Sequence, residues 1–414
     1  VSLAKDGRSA AVEFQGRTAT LTPGTWSGWQ EVSFNLGLFK TMKGIFKFYL
    51  VETEPGFKLY ISPINFDPRA PYFPISYPGG YSAELAKTIG LYHTMGMPMD
   101  TWAVNELRLT EAPFLEQAEE IFLERKKMLE FELGRCDKGV FFCYFETPDI
   151  IQHMFWRCRD AGHPLYDAQA AARHGETIAE WYRKTDAALG TVMERCREGD
   201  TLIVLSDHGV ASFRRSVHLN AWLRDNGYLA LKGAGTRSGG ELLADIDWPK
   251  TRAYAIGFGA IYINMKGRER DGAVAQGAES DALAKEIAAK LGEWRDEKTG
   301  EPVTDAVFAR GEIFRGPFAK DTPDLYVGFS AGYRASWQTA VGATPEALIE
   351  DNLKKWSGDH LFSPQLIPGA LFTNRKIAAG DPSLYDIAPT VLALAGFSED
   401  EIASCDFDGR DLFH

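Results

Sequence analysis

Two uninterrupted apolar runs, each followed by acidic and histidine residues, constrain the fold of this chain most strongly. Residues 139–145 (GVFFCYF) lead into Asp149, and residues 201–205 (TLIVL) lead directly into Asp207 and His208. A short apolar run bounded by polar residues is typical of a central strand that is buried on both faces. Ligand-binding side chains gather beyond the carboxyl ends of such strands. We therefore expect the chemistry of the chain at these two places.

Three short segments supply a mixed set of carboxylate and imidazole groups. Asp149 and His153 are four residues apart, so a helix that starts at Asp149 would place both on one face. Asp207 and His208 are adjacent, and His360 follows a Gly-Asp pair late in the chain. Oxygen and nitrogen ligands in this mixture suit a divalent metal ion. Zinc is the leading candidate, with manganese or magnesium as alternatives.

Each segment also has a simpler explanation when it is taken alone. Asp149 could cap a helix, because its side chain can accept a backbone N–H. The Asp207-His208-Gly209 segment could be a turn, since aspartate and glycine favour tight turns. His360 alone would be unremarkable. The joint occurrence of the three segments, two of them after predicted strands, favours a metal site.

The same motifs carry a family resemblance. The order Asp-x-x-x-His, Ser-Asp-His-Gly and Gly-x-His resembles the alkaline phosphatase superfamily, and most closely its type I phosphodiesterase/nucleotide pyrophosphatase branch. Residues 254–268 (YAIGFGAIYINMKGR) are similar to a strand motif of that branch. Residues 366–373 and 386–396 resemble its closing strand and helix. The resemblance extends from about Gly139 to about Leu412.

The resemblance implies two divalent ions and the cleavage of phosphodiester or nucleotide pyrophosphate bonds. One ion would take Asp149, His153 and His360, and the other would take Asp207 and His208. The second ion would also need an aspartate and a hydroxyl nucleophile from an N-terminal motif, which residues 1–136 do not contain. We therefore expect the chain to be the C-terminal part of a longer protein, to lack the nucleophile, and to be inactive alone.

Other functions remain open from the sequence. Phosphomutases and sulfatases of the same superfamily share the metal motifs, and a metal-binding pseudoenzyme without turnover is a further alternative. Arg334 follows a predicted strand and is a weak candidate for binding a phosphate, although an ordinary surface arginine is the favoured explanation. The natural substrate is not indicated, because loops and insertions build the pockets that select it.

The chain is long enough for one large core and a smaller module, at 414 residues. Residues 1–74 contain short, partly alternating apolar stretches and predict a small β-rich module. Residues 75–414 predict an α/β phosphohydrolase core, an alkaline phosphatase-like, mostly parallel sheet flanked by helices. Helices are predicted at 113–135, 169–197 and 281–294, and a further strand at 324–329.

Composition narrows the partners and leaves the compartment open. The formal charge of −12 argues against a nucleic-acid surface and permits a small phosphorylated substrate beside bound cations. The five cysteines have no C-x-x-C spacing, which favours reduced thiols over a disulfide framework. Neither a signal peptide nor a membrane-spanning apolar run is recognisable. Localisation and oligomeric state are not indicated.

Overall fold

The computed structural model describes residues 1–4, 8–37, 40–233, 235–378 and 380–414. The chain divides into two compact units, each discontinuous in sequence. The first comprises Val1–Ile151, Ala179–Leu202 and Thr373–His414, and the second comprises Gln152–Ile178 and Ile203–Phe372. The predicted domain boundary near residue 74 falls inside the first unit and stays a prediction.

The described residues at the start of the first unit form nine short strands: β1 (Ser2–Leu3), β2 (Ala10–Phe14), β3 (Arg17–Leu21), β4 (Thr25–Trp26), β5 (Gln30–Asn35), β6 (Thr41–Phe46), β7 (Phe48–Glu52), β8 (Lys58–Ile61) and β9 (Asn65–Phe66). They form three antiparallel sheets with the orders β1-β2-β3, β4-β7-β8 and β5-β6-β9. Ala10, Val12, Ala19 and Leu21 are buried at alternate positions, as in a half-buried strand. The predicted short antiparallel strands are confirmed.

Twelve α-helices lie within the described residues: α1 (Tyr81–Ile89), α2 (Thr101–Asn105), α3 (Glu111–Leu133), α4 (Thr147–Phe155), α5 (Ala168–His174), α6 (Thr177–Met193), α7 (Leu219–Asp225), α8 (Ala278–Gly292), α9 (Arg310–Ile313), α10 (Trp337–Ala340), α11 (Ile387–Leu394) and α12 (Glu399–Ala403). In α3 the predicted core residues Phe114, Ala118, Ile121 and Phe122 are all buried. The helix predicted at 169–197 is two helices, α5 and α6. No helix among the described residues is both long and apolar enough to cross a membrane.

Ten further strands follow: β10 (Ile203–Leu205), β11 (Ala211–Val217), β12 (Ala253–Ala255), β13 (Ala260–Ile263), β14 (Thr304–Ala309), β15 (Leu325–Phe329), β16 (Gly332–Ala335), β17 (Ile349–Asp351), β18 (Gly358–Asp359) and β19 (Leu371–Thr373). One four-stranded sheet has the order β12-β13-β15-β14. In another, β11 pairs with β16, β17 and β18, and β10 pairs with β19. The core of the second unit packs around the first of these sheets, with Trp222 and Phe329 among its largest side chains.

The mostly parallel sheet that the sequence predicts is not found, because the described sheets are largely antiparallel. The parallel pair with a described register is β11–β16. Two hairpin-forming glycines explain part of the difference: Gly257 and Gly259 have positive φ angles of 86° and 108° between β12 and β13. Residues without a β-carbon adopt such angles readily, so the chain reverses there and pairs antiparallel.

The prediction of a buried strand at residues 139–145 is wrong. This segment has no strand in the structure, and its alternate side chains Val140, Phe142 and Tyr144 are exposed. An apolar run indicates a buried central strand only where neighbouring elements cover both of its faces. Of the predicted strand at 201–205, the last three residues form β10.

Two sequence motifs of the resemblance have structural roles. In the second unit, the Asn264 amide donates to the carbonyls of Trp248 and Thr251, and Arg268 forms an ion pair of 2.7 Å with Asp324. These contacts fix the turn that follows β13. A buried amide that satisfies several backbone carbonyls stabilises a loop without taking part in chemistry.

The second motif fastens the C-terminal tail within the first unit. The Asp386 carboxylate accepts hydrogen bonds from the backbone N–H groups of Ser383 and Arg410, both at 2.8 Å. The Thr390 hydroxyl donates to the Asp386 carbonyl and accepts from the Leu412 N–H. These two side chains therefore hold the tail against α11.

Candidate metal centre

Helix α4 carries the first sequence-predicted pair. It begins at Thr147-Pro148, and proline suits the first turn because its missing N–H would be unpaired there in any case. Asp149 lies in the first turn, where its negative charge is stabilised by the helix dipole. His153 follows one turn later. The predicted helical spacing of Asp149 and His153 is thus present, and the apolar side chains of α4 anchor the helix in buried surroundings.

His153 is held by the segment that precedes His360. Its Nδ1 lies 2.6 Å from the Gly358 carbonyl oxygen, which can only accept, so Nδ1 carries the proton. The ring stacks on Trp356, with centroids 3.8 Å apart and an angle of 23° between the planes. In this tautomer Nε2 carries no proton, as a metal-binding nitrogen requires. Metal-binding histidines are commonly oriented in this way by a carbonyl on the other ring nitrogen.

His208 and His360 come together from distant parts of the sequence. Their rings stack with centroids 3.7 Å apart and 18° between the planes, and the ring centroids of His153 and His360 are 5.2 Å apart. The Nδ1 atom of His208 donates to the Gly209 carbonyl at 3.0 Å. The structure therefore brings three of the predicted ligand residues into one histidine cluster, formed by His153, His208 and His360.

Asp207 lies beside this cluster. Its Oδ2 atom is 3.4 Å from Nε2 of His208, and its side chain is largely exposed. The turn that contains Asp207 and His208 depends on Gly209, because a β-carbon there would lie 2.7 Å from the Pro368 carbonyl oxygen. This close approach of two backbone segments fixes where His208 can point.

Arg334, the weak candidate for a phosphate ligand, is buried, so the surface position that the sequence favoured is wrong. Its side chain is 1% exposed, and Nε is 2.8 Å from Oδ2 of Asp359, which is equally buried. The guanidinium also lies over the rings of Phe213, Phe258 and Trp337, at 4.8, 4.6 and 4.1 Å from their centroids. Its charge is therefore already engaged inside the second unit.

Asp359 is a residue of the site that sequence reasoning passed over. Burial is the largest influence and acts to raise its pKa, but the charge of Arg334, the neighbouring histidines and the Trp356 hydrogen bond together hold the pKa of Asp359 below its usual range. The carboxylate accepts from the backbone N–H of His360 at 2.8 Å and from the Trp356 indole N–H at 2.8 Å. In the sequence, the place of Asp359 in the site is indicated only by its position directly before a candidate ligand.

Thr25 and Ser27 are two hydroxyl residues near the N-terminus, and both are held in local turns of the first unit. Thr25 donates to the Thr22 carbonyl at 2.9 Å, and Ser27 donates to the Gly28 carbonyl at 2.7 Å. Neither hydroxyl hydrogen-bonds a histidine or carboxylate that could activate it among the contacts described.

Comparison with protein families identifies a family to which the chain is similar. The model of the type I phosphodiesterase / nucleotide pyrophosphatase family matches residues 29–342. This range includes α4 and the Asp207-His208 turn, and it begins well upstream of Gly139, where the recognisable motifs start. It ends before His360. No curated protein matches the chain.

Proposed function

We propose that this chain, which belongs to the type I phosphodiesterase / nucleotide pyrophosphatase family, forms the metal-binding part of a hydrolase that cleaves phosphodiester or nucleotide pyrophosphate bonds. The family consists of hydrolytic enzymes, and a small phosphorylated molecule is the substrate class that fits it. The histidine cluster is the observation that carries the proposal. Three imidazoles from segments 55 or more residues apart converge within one unit, which structural packing alone does not require.

We assign the metal ligands to Asp149, His153, Asp207, His208 and His360. Among the described residues, Asp149, His208 and His360 make up the group of three carboxylate and imidazole residues that could hold one ion. The donor set of one carboxylate and two imidazoles suits zinc, and manganese and magnesium remain alternatives. His153 and Asp207, beside this group, would complete the first ion or contribute to a second.

A bound divalent ion would supply charge stabilisation to a phosphoryl group and lower the pKa of a hydroxyl placed against it. The residues of the chain would hold the ion and keep the ligand side chains oriented toward it. The Gly358 carbonyl fixes the tautomer of His153, and the Gly209 carbonyl does the same for His208. The attacking hydroxyl would come from a motif upstream of this chain, in the manner of other covalent phosphohydrolases.

The test is hydrolysis by the protein expressed from its complete reading frame. We expect bis-p-nitrophenyl phosphate to be cleaved with zinc or manganese present and cleavage to stop after chelation. His208→Ala should lower kcat/KM by roughly a hundredfold or more, because a ligand is lost. His414→Ala, which removes an exposed C-terminal histidine, is the matched control and should leave activity unchanged.

Two outcomes would contradict this function. Faster cleavage of p-nitrophenyl sulfate than of the phosphodiester would indicate sulfatase chemistry. Metal binding without cleavage of either ester or of a nucleotide pyrophosphate would indicate a pseudoenzyme.

A further inference from the structure

A single buried carboxylate organises the segment that surrounds two of the candidate ligands. Asp359 accepts three hydrogen bonds: from the indole N–H of Trp356 at 2.8 Å, from the backbone N–H of His360 at 2.8 Å, and from the backbone N–H of Leu361 at 3.1 Å. It also pairs with Arg334. Every one of these partners belongs to the second unit.

We propose that Asp359 and Trp356 are positioning residues that set the orientation of His360 and His153 for a divalent ion. The inference rests on the proposed function and adds to it two residues that are not themselves ligands. One carboxylate acts on both histidines: on His360 directly through the backbone, and on His153 through the Trp356 ring.

The Trp356 ring provides a flat support for His153. The two rings are nearly parallel with centroids 3.8 Å apart, so the imidazole cannot tilt toward the indole without a clash. The indole itself is fixed by its N–H bond to Asp359. The next residues complete the restraint, because the Ser357 N–H donates to the His153 carbonyl and the Gly358 carbonyl accepts from Nδ1. Ring rotation and ring tilt of His153 are therefore both controlled by residues 356–358.

The Arg334–Asp359 pair explains how the carboxylate can stay charged in a dry environment. Removing two charges from water is costly, and a hydrophobic pair of similar volume often gives a more stable protein. The guanidinium of the pair lies over three aromatic rings, and the carboxylate accepts further hydrogen bonds from Trp356 and from the backbone of residues 360 and 361. Its presence beside two candidate ligands is consistent with a role in orientation, which apolar side chains could not perform.

The test measures Co²⁺ binding to metal-free protein, because Co²⁺ replaces zinc and its visible absorption reports ligand geometry. Trp356→Leu removes the flat support and Trp356→Phe keeps a ring but removes the N–H donor. Asp359→Asn keeps the volume and removes the charge. We expect Trp356→Leu to weaken Co²⁺ binding about 10- to 100-fold, the usual range when residues behind metal ligands are replaced. The absorption bands should shift in the same variant, and Trp356→Phe should lie between it and the wild type.

Trp294→Leu is the matched control, because Trp294 packs on Trp222 in the same unit and has no described contact with a candidate ligand. It should lose thermal stability while keeping the Co²⁺ affinity and spectrum. Should Asp359→Asn fail to fold, the two Trp356 variants still decide the question. Unchanged affinity and spectrum in Trp356→Leu, or an equal loss in Trp294→Leu, would overturn the positioning role alone. Absence of Co²⁺ binding by the wild type would overturn the proposed function and this inference together.

Discussion

At the scale of single residues, His163 differs from two histidines of the candidate site in what its ring nitrogens contact. His163 has both nitrogens satisfied by backbone: Nε2 donates to the Phe213 carbonyl at 2.9 Å, and Nδ1 accepts from the Leu165 N–H at 3.0 Å. His153 and His208 have one nitrogen bonded to a carbonyl and lie next to other imidazoles. The first arrangement is structural, and the second suits metal binding.

We expect the lowered pKa of His163 to make the protein less stable in acid. Burial lowers the pKa of His163 to about 4, below the value near 6.5 expected in the unfolded chain. Between those values the unfolded state binds more protons, so the free energy of unfolding falls as the pH falls. Its contribution should decrease by about 2 kcal/mol from pH 7 to pH 5. Urea unfolding of the wild type and of His163→Gln at both pH values measures this contribution to the free energy of unfolding. Equal pH dependence in the two proteins would contradict the prediction.

We expect the substitution His360→Ala to release metal without unfolding the protein. Its ring is half-buried and its backbone N–H, which Asp359 binds, is kept in His360→Ala. Equilibrium dialysis against zinc should find the better-bound ion released, while circular dichroism and the melting temperature stay close to the wild type. Full zinc content in the variant would show that His360 is not a ligand. Global unfolding would instead indicate a structural histidine.

At the scale of elements, the sequence predicts the periodic pattern of single helices and the short antiparallel strands of the N-terminal region, but it does not predict the strand pairing of the second unit. The apolar spacing of Phe114 and Ile121 identifies α3 because that pattern depends on one helix alone. The direction of a strand's partner depends on distant segments, so the antiparallel pairing of β12 with β13 was missed. The strand prediction at residues 139–145 is wrong because the burial of an apolar run depends on the elements that cover it. The three site motifs were recognisable, but the role of Asp359 required knowing that Arg334 lies against it.

Two glycine substitutions, one in the turn after β10 and one inside α6, should change the stability of the protein in opposite directions. Gly209→Ala should destabilise the protein by about 1–3 kcal/mol, because the new β-carbon would lie 2.7 Å from the Pro368 carbonyl and the backbone must shift. That shift should also displace His208 and weaken zinc binding. Gly190→Ala is the control, since Gly190 lies inside α6 with open space around it and alanine favours helix by up to ~1 kcal/mol. Thermal unfolding and zinc titration of both variants provide the measurement. A Gly209→Ala protein as stable as the wild type, with the same zinc affinity, would contradict the account.

At the scale of the whole molecule, the ligand inventory predicts one well-bound ion and one weak ion. The described residues contain one group of three carboxylate and imidazole residues suited to an ion, and Asp207 adds a single exposed carboxylate next to it. Metal analysis of carefully loaded protein should find closer to one ion per chain than two. Two tightly held ions would show that the chain supplies ligands beyond those assigned.

The same inventory predicts slow turnover by these 414 residues alone. We propose above that the attacking hydroxyl lies upstream of these residues; because the ion and the hydroxyl act as a unit, these residues alone should then lose most of the rate. Hydrolysis of bis-p-nitrophenyl phosphate should stay near the rate of zinc in solution. Fast, chelator-sensitive hydrolysis would mean that a hydroxyl within the chain acts as nucleophile, with Thr25 or Ser27 the first to be replaced by alanine.

The central claim is that the histidine cluster binds a divalent ion. Anomalous diffraction at the zinc edge, from a crystal of zinc-loaded protein, tests it most directly. We predict a peak at about 2.0–2.1 Å from the ring nitrogens of His208 and His360. The absence of a peak there, or a fully occupied peak elsewhere in the chain, would contradict the account.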